Sequence, residues 1–407
     1  MAEAFLVGGA RTPVGRYGGS LSAVRPDDLA ALTVKEAVER AGIDPVLVDE
    51  VIFGNANGAG EENRNVARMA WLLAGFPDTV PGITVNRLCA SGMSAIIMAS
   101  HMIKAGAADI VVAGGVESMS RAPWVMEKPT TAFAKPGASY DTSIGWRFPN
   151  HAFVSGKLSR DGKAVYSMPE TAEEVARVDG ISREDADTFA VRSHERSLAA
   201  IEAGRFADEI VPVTVKTRKA ETVVDTDEGP RAGTTLEVLA GLRPVVNGGS
   251  VVTAGNSSTL NDGASAIIVA SEAAVEKYGL AARARILDGA SAGVAQEIMG
   301  IGPVPATRKV LERQGLNVGD LGAVELNEAF ASQSLAVMRQ LGLDEEIVNN
   351  DGGAIALGHP LGSSGSRIAI TLLGRMEREL SGTGRKLGLA TMCVGVGQGT
   401  ALLVEGV

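Results

Sequence analysis

Two cysteines, Cys89 and Cys393, and four histidines, His101, His151, His194 and His359, are the nucleophiles and near-neutral bases of this sequence. Cys89 lies in Asn86-Arg-Leu-Cys-Ala-Ser-Gly-Met, and its small followers lead into a helical run, Ser94–Ala105. A thiol at a helix N-terminus meets free N–H groups and the positive end of the macrodipole, which favour thiolate. A buried structural cysteine is the alternative, since free cysteine is among the most buried residue types. His359 sits in Ala354-Ile-Ala-Leu-Gly-His-Pro-Leu-Gly-Ser-Ser-Gly. So many glycines and serines bring the backbone close to something. A thiol and an imidazole together are the parts of covalent catalysis by an activated nucleophile. Cys393, in Met392-Cys-Val-Gly-Val-Gly-Gln-Gly, lies where glycines free N–H groups to face a ligand. It serves either as a disulfide or redox partner of Cys89 or as a second acid and base, and a disulfide is rare in the cytosol. Asn327, in Asn-Glu-Ala-Phe-Ala after an apolar run, suits an oxyanion or water site, or simply ends a strand.

The elements that must position these residues follow from composition and pattern. Of 407 residues, 45% are apolar, enough for a large core and against wholesale disorder. Lys and Arg number 38 against 48 Asp and Glu, a net charge of −10, where a nucleic-acid binder would carry a basic excess. Two cysteines make no secreted disulfide framework, and no C-x-x-C or H-E-x-x-H spacing offers a metal site. The apolar N-terminal stretch is too short for a signal peptide, and the C-terminal Glu-Gly-Val is no peroxisomal address. The uncharged run 387–404 has the length of a short membrane span. Its glycines and Gln398 read instead as a buried strand–turn–strand. The expectation is a soluble, cytoplasmic protein that touches neither membrane nor nucleic acid.

Buried strands are expected at Val51–Phe53, Ile110–Ala113, Ile267–Ala270, Ala323–Leu326 and Leu387–Thr391. Helices are expected at Leu29–Ala41, Ser94–Ala105, Ser182–Ala203, Ala306–Gln314, Ala329–Leu341 and Gly365–Leu380. Continuous apolar strands between helices argue an α/β architecture. Three segment pairs recur in the same order. A strand enters an Asn turn at Asn55 and again at Asn327. A small-residue helix start follows Cys89 and again His359. Strand and glycines follow in 109–115 and again in 388–395. This points to a duplicated fold in which each half offers one reactive helix start. The Pro-rich stretch 121–249 fits neither half and reads as an insertion carrying binding function. The expected division is 1–120 plus 250–275, the insertion 121–249, and 276–407.

Asn327-Glu-Ala-Phe-Ala, Gly353-Ala-Ile-Ala-Leu-Gly-His359-Pro-Leu-Gly, Cys393-Val-Gly-Val-Gly-Gln-Gly, Cys89-Ala-Ser-Gly and Gly114-Gly-Val-Glu-Ser-Met-Ser together resemble the signatures of the thiolase family, from Arg11-Thr-Pro-Val-Gly to the end. The resemblance implies the duplicated five-layered αβαβα thiolase fold with an inserted loop domain, and acyl transfer to coenzyme A without a resident cofactor. It implies that Cys89 is acylated, that His359 activates it, and that Cys393 exchanges the α-carbon proton of acetyl-CoA. Asn327 would hold a water that forms one oxyanion hole with His359, and the N–H groups of Cys89 and Gly395 the other. Arg231 would lie by the adenine and Ser258 by the pantetheine arm. Ala254, Leu260, Met168, Met299, Ala329 and Phe330 would line the rest of the coenzyme site. Lys216-Thr-Arg-Lys219 is a further cationic run that suits an anionic ligand or a solvated face. Relatives of this type are homotetramers, dimers of dimers, and 132–139 would share in that contact.

Acetoacetyl-specific members carry a His-Met pair where this chain has Ser167-Met168. Asn63-Arg-Asn-Val-Ala-Arg-Met, Thr142-Ser-Ile-Gly-Trp-Arg-Phe and Ser167-Met-Pro-Glu-Thr-Ala look more like 3-oxoadipyl-CoA thiolases. A dicarboxylate acyl chain needs a cation, and Arg64, Arg87 and Arg147 are candidates. An acetoacetyl-CoA thiolase is the alternative. A decarboxylating condensing enzyme would pair its Cys with two His, or with His and Asn, and a non-catalytic acyl-CoA carrier would lose Cys89 or His359.

Overall fold

The computed structural model of the chain describes residues 2–155, 165–218 and 220–407. Nine long strands and the two-residue strand Gly15–Arg16 join in one sheet. From Ala4–Arg11 one half runs outward through Asn261–Ser271, Ile110–Ser118, Glu50–Gly54 and Gly82–Val85. The first two pairings are antiparallel and the next two parallel. From Ala284–Gly293 the other half runs through Gln398–Gly406, Leu387–Val394 and Leu321–Leu326, with the same sense at each step. A parallel bridge, Val324 to Val348, stands where the first half has its fifth strand. Among the described residues, the pairs Phe5–Arg285 and Leu6–Ala284 are what joins the two halves in the sheet. The duplication read from three motif pairs is thus a repeat of strand order and direction.

Three apolar clusters set the layers. The central one joins Met93 and Ile96 of helix Ser91–Lys104 to Ile368 and Leu372 of helix Leu361–Leu380, between the two half-sheets. An outer cluster packs helices Pro26–Arg40 and Val66–Leu73 on the first half-sheet. Another packs Pro303–Gln314 and Ala331–Leu341 on the second. In strand Asn261–Ser271, Ile267 and Val269 face the centre while Ala266, Ile268 and Ala270 face outward. Both faces are covered, which is why these strands read as unbroken apolar runs. The result is the expected αβαβα stack.

The two central helices start earlier than expected, at Ser91 and Leu361 rather than Ser94 and Gly365. Their glycines, each costing about 1 kcal/mol against Ala in a helix, are required by contact between the halves. A Cβ on Gly365 would stand 2.4 Å from the Met93 nitrogen. One on Gly115 would stand 1.9 Å from the Gly362 carbonyl oxygen. The something that the backbone around His359 approaches is therefore the other half of the protein. Helix Ala331–Leu341 begins two residues later than expected, after the Asn327 turn. Strands Ala4–Arg11, Gly82–Val85 and Ala284–Gly293 were not foreseen. The run 387–404 is the expected strand–turn–strand, and no helix among the described residues is long and apolar enough to cross a membrane.

Between Ser118 and Asn261 the chain forms two small hairpins, Trp124–Met126 with Ser139–Asp141 and Val213–Lys216 with Glu221–Val224. Helices Met168–Asp179, Arg183–Glu202 and Leu236–Ala240 follow the chain through this region. Arg11 ties it to the core sheet, buried and bonded to Glu209 at 2.6 Å and to Asp227 at 2.7 and 2.9 Å.

Candidate active site

Cys89 and His359 each stand two residues before the first residue of their helix. The pseudo-symmetric crossing of those helices brings both onto one cavity of about 300 Å³. Cys393, at the end of strand Leu387–Val394, lines the same cavity. So do Met168, Ala254, Ser258, Leu260, Met299, Ala329 and Phe330. Met119, Ile144, Ser167, Val245 and Leu361 are wall residues that sequence reasoning missed. A signal existed for the helix that carries Met168: Ser167 and Glu170 form a capping box, legible as S-x-x-E.

A strained turn presents Cys89. Leu88 holds φ at +48°, unusual for a bulky residue. Its N–H donates to Asn86 Oδ1 at 2.8 Å, and its carbonyl accepts from the Ser91 hydroxyl at 2.6 Å. On the facing loop Val396 holds φ at +63°. The N–H groups of Gly395 and of Cys89 itself point at the Cys89 sulfur. Two donors converging on one point make an anion site at the nucleophile.

His359 is buried and oriented by two contacts. Its Nδ1 is 2.6 Å from the Ser364 Oγ, and that hydroxyl gives its proton to the Pro360 carbonyl at 2.9 Å. The hydroxyl therefore accepts from Nδ1–H, which assigns the free lone pair to Nε2. Nε2 lies 3.4 Å from Asn327 Nδ2. The Asn327 Oδ1 is buried without a hydrogen-bond partner among the described residues, an acceptor suited to a water.

The electrostatics correct one expectation. Burial, the largest cause, pushes the half-buried Cys89 thiol up to about 11, and the opposing N–H groups do not offset it. The helix start does not make Cys89 a resting thiolate. Burial first, and then the charge of Arg367, push His359 down to about 3. Burial and the neighbouring Cys89 also push Cys393 upward. The resting site holds two thiols and a neutral imidazole, and both cysteines are free.

Arg231 lies outside this cavity, in an adjoining depression of about 350 Å³ that also holds Arg16 and His194. Ala254, Ser257 and Thr259 line both spaces, so the two share that wall. The Arg231 N–H donates to His194 Nδ1 at 3.2 Å. Lys216 is exposed and pairs with Glu221 at 3.4 Å, away from both spaces. Lys219 lies outside the described residues.

A cavity that sets a thiol against an imidazole and a second thiol, with an anion site at the first sulfur, is built for acyl transfer through a thioester. The comparisons agree. The thiolase N-terminal domain matches residues 4–273 and the thiolase C-terminal domain residues 280–406. A beta-ketoadipyl-CoA thiolase of Pseudomonas aeruginosa is 56% identical over 99% of both chains. A 3-oxoadipyl-CoA/3-oxo-5,6-dehydrosuberyl-CoA thiolase of Escherichia coli K12 is 52% identical over the full length of both. The solved acetyl-CoA acetyltransferase of Bacillus anthracis superposes with a TM-score of 0.92 at 42% identity, covering 100% of this chain and 99% of that one. The chain belongs to the thiolase family. It is an acyltransferase that cleaves 3-oxoacyl-CoA thiolytically, using coenzyme A thioesters as substrates.

Proposed function

We propose that the protein cleaves 3-oxoadipyl-CoA with coenzyme A, releasing acetyl-CoA and the shortened carboxyacyl-CoA. The observation that carries this is the one cavity shared by Cys89, His359 and Cys393, together with relatives above 50% identity named for that substrate. As Cys89 attacks the 3-keto carbon, its proton passes to His359 Nε2, because neither group is charged at rest. The N–H groups of Cys89 and Gly395 receive the developing oxyanion. Carbon–carbon cleavage leaves the acyl group on Cys89 and an enolate of acetyl-CoA. A water on Asn327, with His359, holds the enolate oxygen, and the Cys393 thiol protonates its carbon. Incoming coenzyme A gives its proton back to Cys393 and attacks the acyl-enzyme. The departing Cys89 sulfur recovers its proton from His359.

Arg231 takes the adenine end of the coenzyme, and Ser258, Ala254, Leu260, Met168, Met299, Ala329 and Phe330 line its path to Cys89. The protein needs no resident cofactor, works in the cytoplasm as a homotetramer, and uses residues 121–249 as the loop domain that binds the coenzyme and joins the dimers. Acetyl-CoA should place one acetyl group on Cys89, read by intact mass and peptide mapping. kcat/KM should be higher for 3-oxoadipyl-CoA than for acetoacetyl-CoA. An adduct on Cys393, or a preference for acetoacetyl-CoA, would overturn the reading.

A further inference from the structure

A 3-oxoadipyl chain ends in a carboxylate, and no Lys or Arg stands on the wall of the cavity among the described residues. A carboxylate held against such a wall without a cation is costly. The charge must be met just beyond the wall.

Three arginines compete for the task. Arg87, next to the nucleophile turn, is committed: its Nε donates to Ser94 Oγ at 2.9 Å and an Nη to Gln398 Oε1 at 3.2 Å. Arg64 is exposed on a left-handed turn and lines no part of the cavity. Arg147 differs from both. It follows Ile144 and Gly145, which line the cavity, with Gly145 turning the chain at φ +88°. Between them Trp146 donates its indole N–H to the Tyr166 carbonyl at 2.9 Å. That bond pins the segment beside Ser167 and Met168, on the same wall. Arg147 is half-buried, and its guanidinium meets only neutral oxygens at long range, Thr142 O at 3.4 Å and Asn57 Oδ1 at 3.3 Å. No carboxylate pairs with it among the described residues. A planar cation held by two weak neutral acceptors can turn to a bidentate carboxylate at little cost.

We propose that Arg147 reads the ω-carboxylate of the acyl chain and so sets the preference for a dicarboxylate substrate. This rests on the reading of 3-oxoadipyl-CoA as substrate given above. The test compares kcat/KM for 3-oxoadipyl-CoA with that for 3-oxohexanoyl-CoA, which has the same length and a methyl end. In Arg147→Gln the ratio should fall roughly 10- to 100-fold, through 3-oxoadipyl-CoA alone. Thiolysis of 3-oxohexanoyl-CoA and acetylation of Cys89 should stay within threefold. Arg147→Lys should recover part of the ratio, and Arg64→Gln should leave it unchanged. An Arg147→Gln enzyme that keeps the ratio, or loses both substrates equally, overturns the role of Arg147 while the substrate reading stands. A wild type without preference for the dicarboxylate overturns both.

Discussion

Ser364 should be worth as much to the chemistry as many residues that touch substrate. It is fully buried in helix Leu361–Leu380. Its single proton is given to Pro360, so it accepts from His359 and holds the imidazole as the Nδ1–H tautomer. Ser364→Ala removes that acceptor and leaves a buried N–H unpaired, at a cost of about 1–3 kcal/mol. The ring escapes the cost by moving its proton to Nε2, the atom that must receive the proton of Cys89. At about 1.4 kcal/mol per factor of ten, productive imidazole should fall roughly 5- to 150-fold. kcat/KM for thiolysis and the rate of Cys89 acetylation by acetyl-CoA should fall together by that factor, with little change in KM. Near-ultraviolet circular dichroism would establish that the fold is kept. A folded Ser364→Ala enzyme whose Cys89 acetylates within twofold of wild type would refute the argument.

Cys393→Ala should still form the acetyl-enzyme, with the leaving coenzyme A departing as a thiolate, but should lose carbon–carbon cleavage by about 10²–10⁴-fold, along with exchange of the acetyl-CoA methyl protons in deuterated water. His359→Ala should slow both steps, as stopped-flow and mass spectra would record. Gly115→Ala forces a methyl toward the Gly362 carbonyl, where no side-chain rotation relieves it. Overpacking of about 1–3 kcal/mol, set against the unfolding entropy of a chain this long, should lower the melting temperature by about 1–4 °C, and scanning calorimetry that shows no decrease would contradict it. His359, held at about 3 against an ordinary 6.5, binds no proton in the fold across a range where the unfolded chain does. Its contribution to stability is complete above pH 6.5 and is lost as pH falls toward 3. Denaturant midpoints at pH 7 and pH 5 should therefore differ less for His359→Asn than for wild type.

What the sequence made legible was whatever repeats or runs. The buried strands around Ile110 and Ile267 announce themselves because both faces are covered. The paired motifs Asn55–Cys89 and Asn327–His359 disclose the duplication because strand order recurs with them. Ala4–Arg11 was missed because Gly8 and Gly9 interrupt its apolar run, and Gly9 is small because a Cβ there would meet the Ala266 carbonyl at 2.8 Å. The helix starts at Ser91 and Leu361 are hidden in the sequence because glycine signals a loop, whereas here it serves a contact distant in sequence. The ionisation of Cys89 escapes a sequence reading for a related reason. The helix start is local and visible, while the surrounding wall that desolvates the thiol is assembled from segments far apart in the chain. Ser364 carried no signal beyond its place in a Ser-rich run, since its partners lie on the turn before it.

The seam between the halves behaves like a mechanical stop. Where Gly115 meets Gly362 and Gly365 meets Met93, main chain rests on main chain, with no rotamer to absorb a change. The spacing of nucleophile and base is thereby gauged by peptide units, which substitution elsewhere hardly alters. Side chains on the cavity wall can then vary, and the acyl specificity with them, while the reactive pair stays in calibration. Conversely, any loosening of the seam should be read out first as lost turnover, well before either half melts.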